Sequence, residues 1–390
     1  MSWPLVKLGD LVVIKGGGTP SKKVEEYWNG DIPWASVKDL KSNEISITAD
    51  TITELGVKNS ATNLIPAGTI LTATRMALGK FVINSVDMAI NQDLKALFIK
   101  DVSKVERNYL VRYLSSKAKY IEGEGKGATV KGITLDFLKE LKIPLPPLEE
   151  QKRIAAILDK ADSVRRKRQQ AIDLADDFLR SVFLDMFGDP ISNPKGFKKG
   201  TVRELIESAN YGTSGKASET EGKYPILRMG NITYEGGWDF TNLKYIDLSE
   251  KDEPKYLTQK GDLLFNRTNS KELVGKTAVF DEDEPMAIAG YLIRVRPNEH
   301  GNNYYISGYL NSFHGKQTLL NMCKSIVGMA NINAQELQDI KILLPPIELQ
   351  NEYEQIVRAT KSKLKSFEKS AELLEDNFNS LSQKAFAGEL

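Results

Sequence analysis

The chain is 390 residues long, 41% hydrophobic and 27% charged, which suits two or three folded domains, each able to bury a real core, and gives no compositional reason for disorder. Its 53 basic and 52 acidic residues leave a net charge of +1, so a surface for a polyanion has to be local rather than a general basic coat. The one cysteine, Cys323, excludes an internal disulfide and a cysteine-rich zinc site, and the two histidines, His300 and His314, lack ligand spacing and read as surface or loop residues.

The opening Met1-Ser2-Trp3-Pro4-Leu5-Val6-Lys7 has no secretion-signal core. No apolar run approaches the roughly 20 residues that cross a bilayer, so the cytoplasm is the expected compartment and no membrane contact is expected. Residues 1–145 mix short β-branched runs, such as Leu11-Val12-Val13-Ile14 and Phe81-Val82-Ile83, with Gly, Pro and Asn turns. An amphipathic helix is predicted from Tyr109 to Lys119. The pattern is α+β rather than regular βαβ alternation. Residues 124–133 are glycine-rich but lack the Gly-Lys-Ser/Thr ending of a phosphate-binding loop, so they read as a flexible loop before the next helix.

At Pro146-Pro147 the pattern changes. From Leu148 to Phe187 there is neither Pro nor Gly, and apolar residues recur at three–four spacing: Ile154, Ile157/Leu158, Ala161, Val164, Ala171, Ala175, Phe178 and Val182. Arg168 interrupts this stripe. Pro147 suits a first turn, Glu149 and Glu150 suit the positive end of the helix dipole, and Gly188 suits the stop. The mid-helix run Arg165-Arg166-Lys167-Arg168 reads first as a solvated or partner-facing stretch.

Residues 195–344 return to mixed α and β, with strands expected at Pro225-Ile226-Leu227 and Leu292-Ile293-Arg294-Val295 and a helix from Tyr304 to Leu320. Asp281-Glu282-Asp283-Glu284 holds part of the balancing acid. A second long helix follows Pro345-Pro346. Its seam of Tyr353, Val357, Thr360, Leu364, Phe367, Ala371, Leu374, Phe378, Leu381 and Ala385 alternates steps of four and three, a heptad pattern. Each helix of about 40 residues would be about 60 Å long. A globular half about 30–35 Å across cannot cover such a rod, so the other helix is the natural partner for its stripe.

The chain therefore repeats itself once. Residues 133–151 match residues 332–350 at a constant offset, with Leu138/Leu337, Lys142/Lys341, Ile143/Ile342, Leu145/Leu344, Pro146/Pro345, Pro147/Pro346, Glu149/Glu348 and Gln151/Gln350 identical. Weaker echoes pair Gly17-Gly18-Thr19 with Tyr211-Gly212-Thr213, Gly68-Thr69-Ile70-Leu71 with Gly261-Asp262-Leu263-Leu264, and Tyr109 and Tyr113 with Tyr305 and Tyr309. The segments are 1–145 and 195–344 as globular domains, and 146–188 and 345–390 as the long helices.

Basic and amide side chains lie beside turn residues in both globular halves. Thr19, Lys22, Arg75, Lys80, Lys126 and Lys131 in the first, and Thr213, Lys216, Arg228, Asn231, Arg267, Asn269 and Lys276 in the second, are candidate DNA contacts. Arg and Lys neutralise phosphates and read guanine, and Asn reads adenine. Thr268, Asn331 and Asn333 are neighbouring donors and acceptors. No catalytic or metal-binding signature occurs, including the Pro-Pro tetrapeptide of amino-methylating DNA enzymes; the Pro-Pro pairs sit in Leu-Pro-Pro-Leu and Leu-Pro-Pro-Ile.

The paired blocks Leu141-Lys142-Ile143-Pro144-Leu145-Pro146-Pro147-Leu148-Glu149-Glu150-Gln151 and Ile340-Lys341-Ile342-Leu343-Leu344-Pro345-Pro346-Ile347-Glu348-Leu349-Gln350, the opening Trp3-Pro4-Leu5-Val6-Lys7-Leu8 and the turn Ile32-Pro33-Trp34 resemble the specificity subunit of type I restriction–modification systems. The resemblance covers essentially the whole chain, although Leu343 and Asn351 depart from the first copy's Pro144 and Lys152. It implies two target-recognition domains separated by two long antiparallel coiled-coil helices with pseudo-twofold symmetry, reading a bipartite double-stranded DNA site. It also implies no catalytic site in this chain. Two modification subunits would bring S-adenosylmethionine and methylate adenine, and restriction subunits would bring ATP, Mg and cleavage. Alternative readings are a specificity subunit whose partner fuses cleavage and methylation, a coiled-coil scaffold that binds only proteins, and a free-standing nuclease or methyltransferase.

Overall fold

The computed structural model describes residues 3–127, 131–270, 273–323 and 329–390. The chain divides into two units, Met1–Arg168 with Ser370–Leu390, and Gln169–Lys369.

In the first unit a five-stranded sheet runs in the order Val12–Gly16, Leu94–Ile99, Ile70–Ala73, Phe81–Asn84, Glu44–Ile45. A four-stranded sheet runs Asp50–Ile52, Trp28–Ala35, Met88–Ile90, Leu64–Ile65. The alternation of side chains along a strand explains why the larger sheet is buried on both faces. Ile70, Phe81 and Leu97 face one cluster with Leu110 and Leu114 of the helix Arg107–Ser116. Their neighbours Leu71, Val82 and Ala96 face a second cluster with Met88 and Ile90 of the smaller sheet.

The second unit repeats this plan. Its larger sheet runs Ile206–Tyr211, Leu292–Pro297, Leu263–Asn266, Thr277–Val279, and its smaller one Lys244–Ile246, Tyr224–Leu227, Ala287–Ile288. Leu263, Val279 and Ile293 face Tyr305, Tyr309 and Leu310, whereas Leu264, Ala278 and Leu292 face Ile288 and Leu227. The smaller sheets share an unusual parallel pair, Ala35 with Ile90 in one unit and Leu227 with Ile288 in the other.

The structure also explains and adjusts the glycine echo. A Cβ on Gly17 would lie 2.0 Å from the Ile90 carbonyl oxygen, and one on Gly212 would lie 2.3 Å from that of Ile288. These two glycines are equivalent, which shifts the sequence alignment of Gly18 with Gly212 by one position. The helix expected from Tyr304 to Leu320 is two helices, Asn303–Asn311 and Phe313–Met322. Ser312 breaks it: its Oγ accepts from Gly315 N at 3.1 Å and caps the second helix.

The long helices form where expected. The first runs Leu148–Asp173 and Ala175–Phe187. Hydrogen bonds Leu174 N to Gln170 O and Phe178 N to Leu174 O, both 3.0 Å, carry it through the intervening Leu174. The second is Ile347–Ala387. Burial departs from the expected stripes. Ile154, Ala155 and Leu158 are buried in the first unit with Ala385, and Phe183 and Phe187 in the second with Tyr353 and Val357, while Val164 and Phe178 are about half exposed.

The repeated Pro-Pro-x-Glu-x-Gln block has a structural cause in its last residue. Gln151 is fully buried. Its Oε1 accepts from Glu106 N at 2.8 Å, and its Nε2 donates to the carbonyls of Lys104 and Pro146, both at 2.8 Å. Gln350 is equally buried, accepts from Asn302 N at 2.9 Å, and donates to His300 O at 3.0 Å and Pro345 O at 2.9 Å. Each amide thus ties the start of a long helix to the segment opening the globular helix, where backbone groups would otherwise be buried without partners. The tyrosine echo makes the companion bonds. Tyr109 and Tyr113 donate to the carbonyls of Pro144 and Lys142 at 2.7 and 2.8 Å, and Tyr305 and Tyr309 to those of Leu343 and Lys341 at 2.8 and 2.7 Å.

The first unit adds a buried charge network. Asp162 is inaccessible to solvent and takes Arg112 Nη1 at 2.9 Å, Arg165 Nη2 at 2.8 Å, Arg166 Nε at 3.2 Å and Asn43 Nδ2 at 3.0 Å. Burial alone would raise its pKa, but the Arg165 hydrogen bond and the Arg112 charge outweigh it and hold the carboxyl below its ordinary value.

Two measurements check these anchors. Gln151→Leu and Gln350→Leu should each lower stability in denaturant titrations by about 1–3 kcal/mol, because each strands a buried N–H and two carbonyls. Asp162→Asn should cost about 3 kcal/mol at pH 7, the scale of breaking one side of a buried ion pair. Because the folded carboxyl titrates below its unfolded value of about 3.9, this contribution is present above that pH and is lost as pH falls through the folded pKa. The gap between wild type and Asp162→Asn should therefore close below about pH 4.

Candidate nucleic-acid interface

Both units build the same lip at one end of the larger sheet. In the first, the chain leaves Ile70–Ala73, and Thr74 is pinned by Thr74 N to Asp93 O at 2.9 Å and Ile133 N to Thr74 O at 3.0 Å. Arg75 then pairs with Gly132, which also pairs with Lys126 through two 2.9 Å bonds, and Met76 N donates to Lys131 O at 3.2 Å. In the second unit the chain leaves Leu263–Asn266, and Arg267 N donates to Tyr291 O at 3.0 Å while its carbonyl accepts from Ile332 N at 2.9 Å. Thr268 pairs with Asn331 and Asn269 with Ala330. The two lips are equivalent, strand exit against the segment that precedes the next helix.

Three sequence candidates of the first unit, Arg75, Lys126 and Lys131, come together on its lip, all exposed. Residues 128–130 of the glycine-rich segment, on which the flexible-loop reading partly rested, lie outside the described residues. Met76 sits among the three with a φ of 65° and 61% exposure. That left-handed conformation costs a non-glycine residue roughly 1–2 kcal/mol, strain of the kind held at functional turns. Thr19 is exposed beside this lip, its hydroxyl donating to Gln92 Oε1, next to Asp93. Lys22 is exposed in the following turn.

In the second unit Arg267 and Asn269 lie on the lip. The Arg267 guanidinium stands 4.6 Å from the centroid of the Tyr211 ring and donates through Nε to Asn331 Oδ1 at 3.2 Å. Asn269 Oδ1 accepts from Ser270 N at 2.8 Å. Lys216 is exposed beyond Gly215.

The remaining candidates bond within the chain, and for the buried Asn231 and the inward-turned Lys276 this corrects the sequence reading. Asn231 is buried; its Oδ1 accepts from Arg228 N at 2.9 Å and its Nδ2 donates to Asp239 O at 2.8 Å, closing a turn and leaving no edge for a base. Arg228 donates to Asn242 O at 2.8 Å, and Thr213 Oγ1 accepts from Gly215 N at 3.0 Å. Lys80 donates to Leu40 O at 3.0 Å. Lys276 turns inward to the Ile232 carbonyl, and burial lowers its pKa. Beside a turn glycine, a side chain is as easily recruited to satisfy the turn's own backbone as left free.

Sequence reasoning missed Tyr211 and Gln92, because nothing in a strand-end tyrosine or a loop glutamine marks the neighbour it will touch. Among the described residues no group of three His, Cys, Asp or Glu side chains is placed to hold a metal, and no helix is long and apolar enough to cross a membrane.

The two α+β units thus carry equivalent lips, with guanidinium and ammonium groups on the first and guanidinium and amide groups on the second, the donor types that meet phosphates and base edges. The family described as Type I restriction modification DNA specificity domain matches residues 2–174 and 194–375, and the chain belongs to that family, whose role is recognition of a DNA target. The chain is 24% identical over 412 aligned residues to the type I restriction enzyme MjaIX specificity subunit of Methanocaldococcus jannaschii, covering 100% of this chain and 93% of that protein. It is 27% identical over 283 residues to the EcoKI specificity subunit of Escherichia coli, covering 68% and 61%. Its fold is similar to the crystal structure of the type I restriction–modification S subunit from M. genitalium, with a TM-score of 0.64 at 18% identity over 99% of this chain and 96% of that one.

Asn231→Ala is expected to lower stability by about 1 kcal/mol, because it removes two part-buried hydrogen bonds that close a turn. Lys216→Ala should stay within about 0.5 kcal/mol of wild type. Denaturant titration of the two variants separates the structural from the free positions.

Proposed function

We propose that each unit reads one part of a bipartite double-stranded DNA target through its lip, and that the chain directs partner subunits without a catalytic site of its own. The observation that carries this reading is the duplicated lip, equivalent in backbone pairing but different in side chains, as two readers of different sequences require. Arg75, Lys126, Lys131 and Thr19 serve the first part, and Arg267, Asn269 and Lys216 the second.

The two long helices pair antiparallel as a coiled coil and set the spacing. Supporting this, the start of the first helix packs near the end of the second within one unit, where Arg165 Nη1 meets Glu375 Oε2 at 2.5 Å and stacks 5.1 Å from Phe378. Within the other unit the end of the first packs on the start of the second, Phe183 lying 5.5 Å from Tyr353. Two modest readers on a fixed spacer gain affinity by effective concentration and lose it when the spacing is wrong. Modification subunits supply S-adenosylmethionine and adenine methylation, and take the target adenine out of the stack. Restriction subunits supply ATP hydrolysis, Mg and cleavage in the cytoplasm.

Mapping methylated adenines in cells that co-express the chain with its modification subunit should yield one two-part motif with a constant spacer. A complex that forms and methylates without such a motif would overturn the reading in favour of a protein-binding scaffold. Lys126→Ala and Lys131→Ala should weaken target and non-target binding alike. Each should reduce the slope of log K against log salt by about 0.9, the increment for one phosphate contact.

A further inference from the structure

We propose that Arg267 reads a guanine in the part of the target contacted by the second unit; this rests on the reading that the unit's lip faces the bases. Arg267 is held through its backbone, its Nε and a face of its guanidinium. Its backbone N–H and carbonyl are both paired, to Tyr291 and Ile332. Its Nε donates to Asn331 Oδ1 at 3.2 Å, and that oxygen is itself oriented by the Thr268 hydroxyl at 2.9 Å. Its guanidinium lies 4.6 Å from the centroid of Tyr211, whose hydroxyl oxygen accepts from Ala334 N at 3.0 Å and so fixes the ring.

With Nε committed, the free end of the fork is Nη1 and Nη2, and no described residue takes either. Two parallel N–H groups demand two adjacent acceptors. In the major groove only guanine presents them, at O6 and N7; adenine sets an amino donor beside its N7, cytosine presents a donor, and thymine a methyl group beside one acceptor. Two oxygens of a phosphate also match the fork. The holding contacts favour the base. A phosphate needs charge and little orientation, which a mobile lysine such as Lys216 supplies, whereas a fork fixed before binding has already lost the freedom that base reading would cost.

The equivalent place in the first unit holds Thr74, whose hydroxyl donates to Asp93 O at 3.2 Å. The inference therefore concerns one part of the target only.

The test uses the full chain bound to its modification subunit and duplexes carrying the mapped motif. Each guanine is replaced in turn by 7-deazaguanine, which lacks the N7 acceptor. One replacement should weaken wild-type binding about 10-fold, the scale of one hydrogen bond to a charged group. The same replacement should leave Arg267→Ala unaffected. Arg267→Ala should bind the intact motif on the order of 10- to 100-fold more weakly and accept other bases at that position in the methylation map. Wild-type binding indifferent to every 7-deazaguanine, or an Arg267→Ala complex weakened equally on all sequences with its motif unchanged, overturns the inference and makes Arg267 a phosphate contact, with the lip still on DNA. Arg267→Ala with unchanged affinity and unchanged motif overturns both this inference and the placement of the second lip on DNA.

Discussion

Two buried glutamine amides hold this architecture together. The first proline of each Pro-Pro step presents a carbonyl that needs a partner, and the segment opening the globular helix nearby presents an N–H and a carbonyl with the same need. Gln151 and Gln350 meet both needs with one side chain each, in three hydrogen bonds of 2.8–3.0 Å. The companion tyrosines fix the globular helix to the strand just before the prolines. Each globular domain is thereby set at a defined angle on the first turns of its long helix.

The features legible in the sequence follow the same logic. The repeat is strongest where chemistry leaves least choice, at the prolines that begin a helix, the glutamine that must be buried, and the tyrosines that must reach a carbonyl. Gly17 and Gly212 echo each other because a Cβ there would strike a carbonyl oxygen. The long helices were visible from an unbroken period, whereas the break at Ser312 was not. An amphipathic run reads the same whether one helix or two carries it, and the cap that divides them is a single hydroxyl. The expected stripes also placed Phe178 and Val164 inside, although burial concentrates on Ile154, Leu158, Phe183 and Phe187, near the helix ends.

The candidate site was legible by residue type but not by partner. Arg75, Lys126 and Lys131 belong to segments about 50 positions apart in sequence, and backbone bonds such as those through Gly132 bring them together. Asn231 and Lys276 looked equivalent to them in sequence, yet the fold uses both to satisfy buried carbonyls or amides. What separates a reading residue from a structural one is whether its neighbours leave it a free hydrogen-bonding edge, and those neighbours are distant in the chain. Arg267 shows both sides of this, since its Nε is spent on Asn331 while no described residue takes its Nη groups.

On the proposed function, each unit reads its own part of the target independently of the other. The most direct measurement exchanges residues 195–344 for the corresponding domain of another member of the family and maps methylated adenines in cells that also make the modification subunit. The expected motif changes in one part while the other part and the spacer stay as they were. A motif in which both parts change together, or neither does, would contradict it.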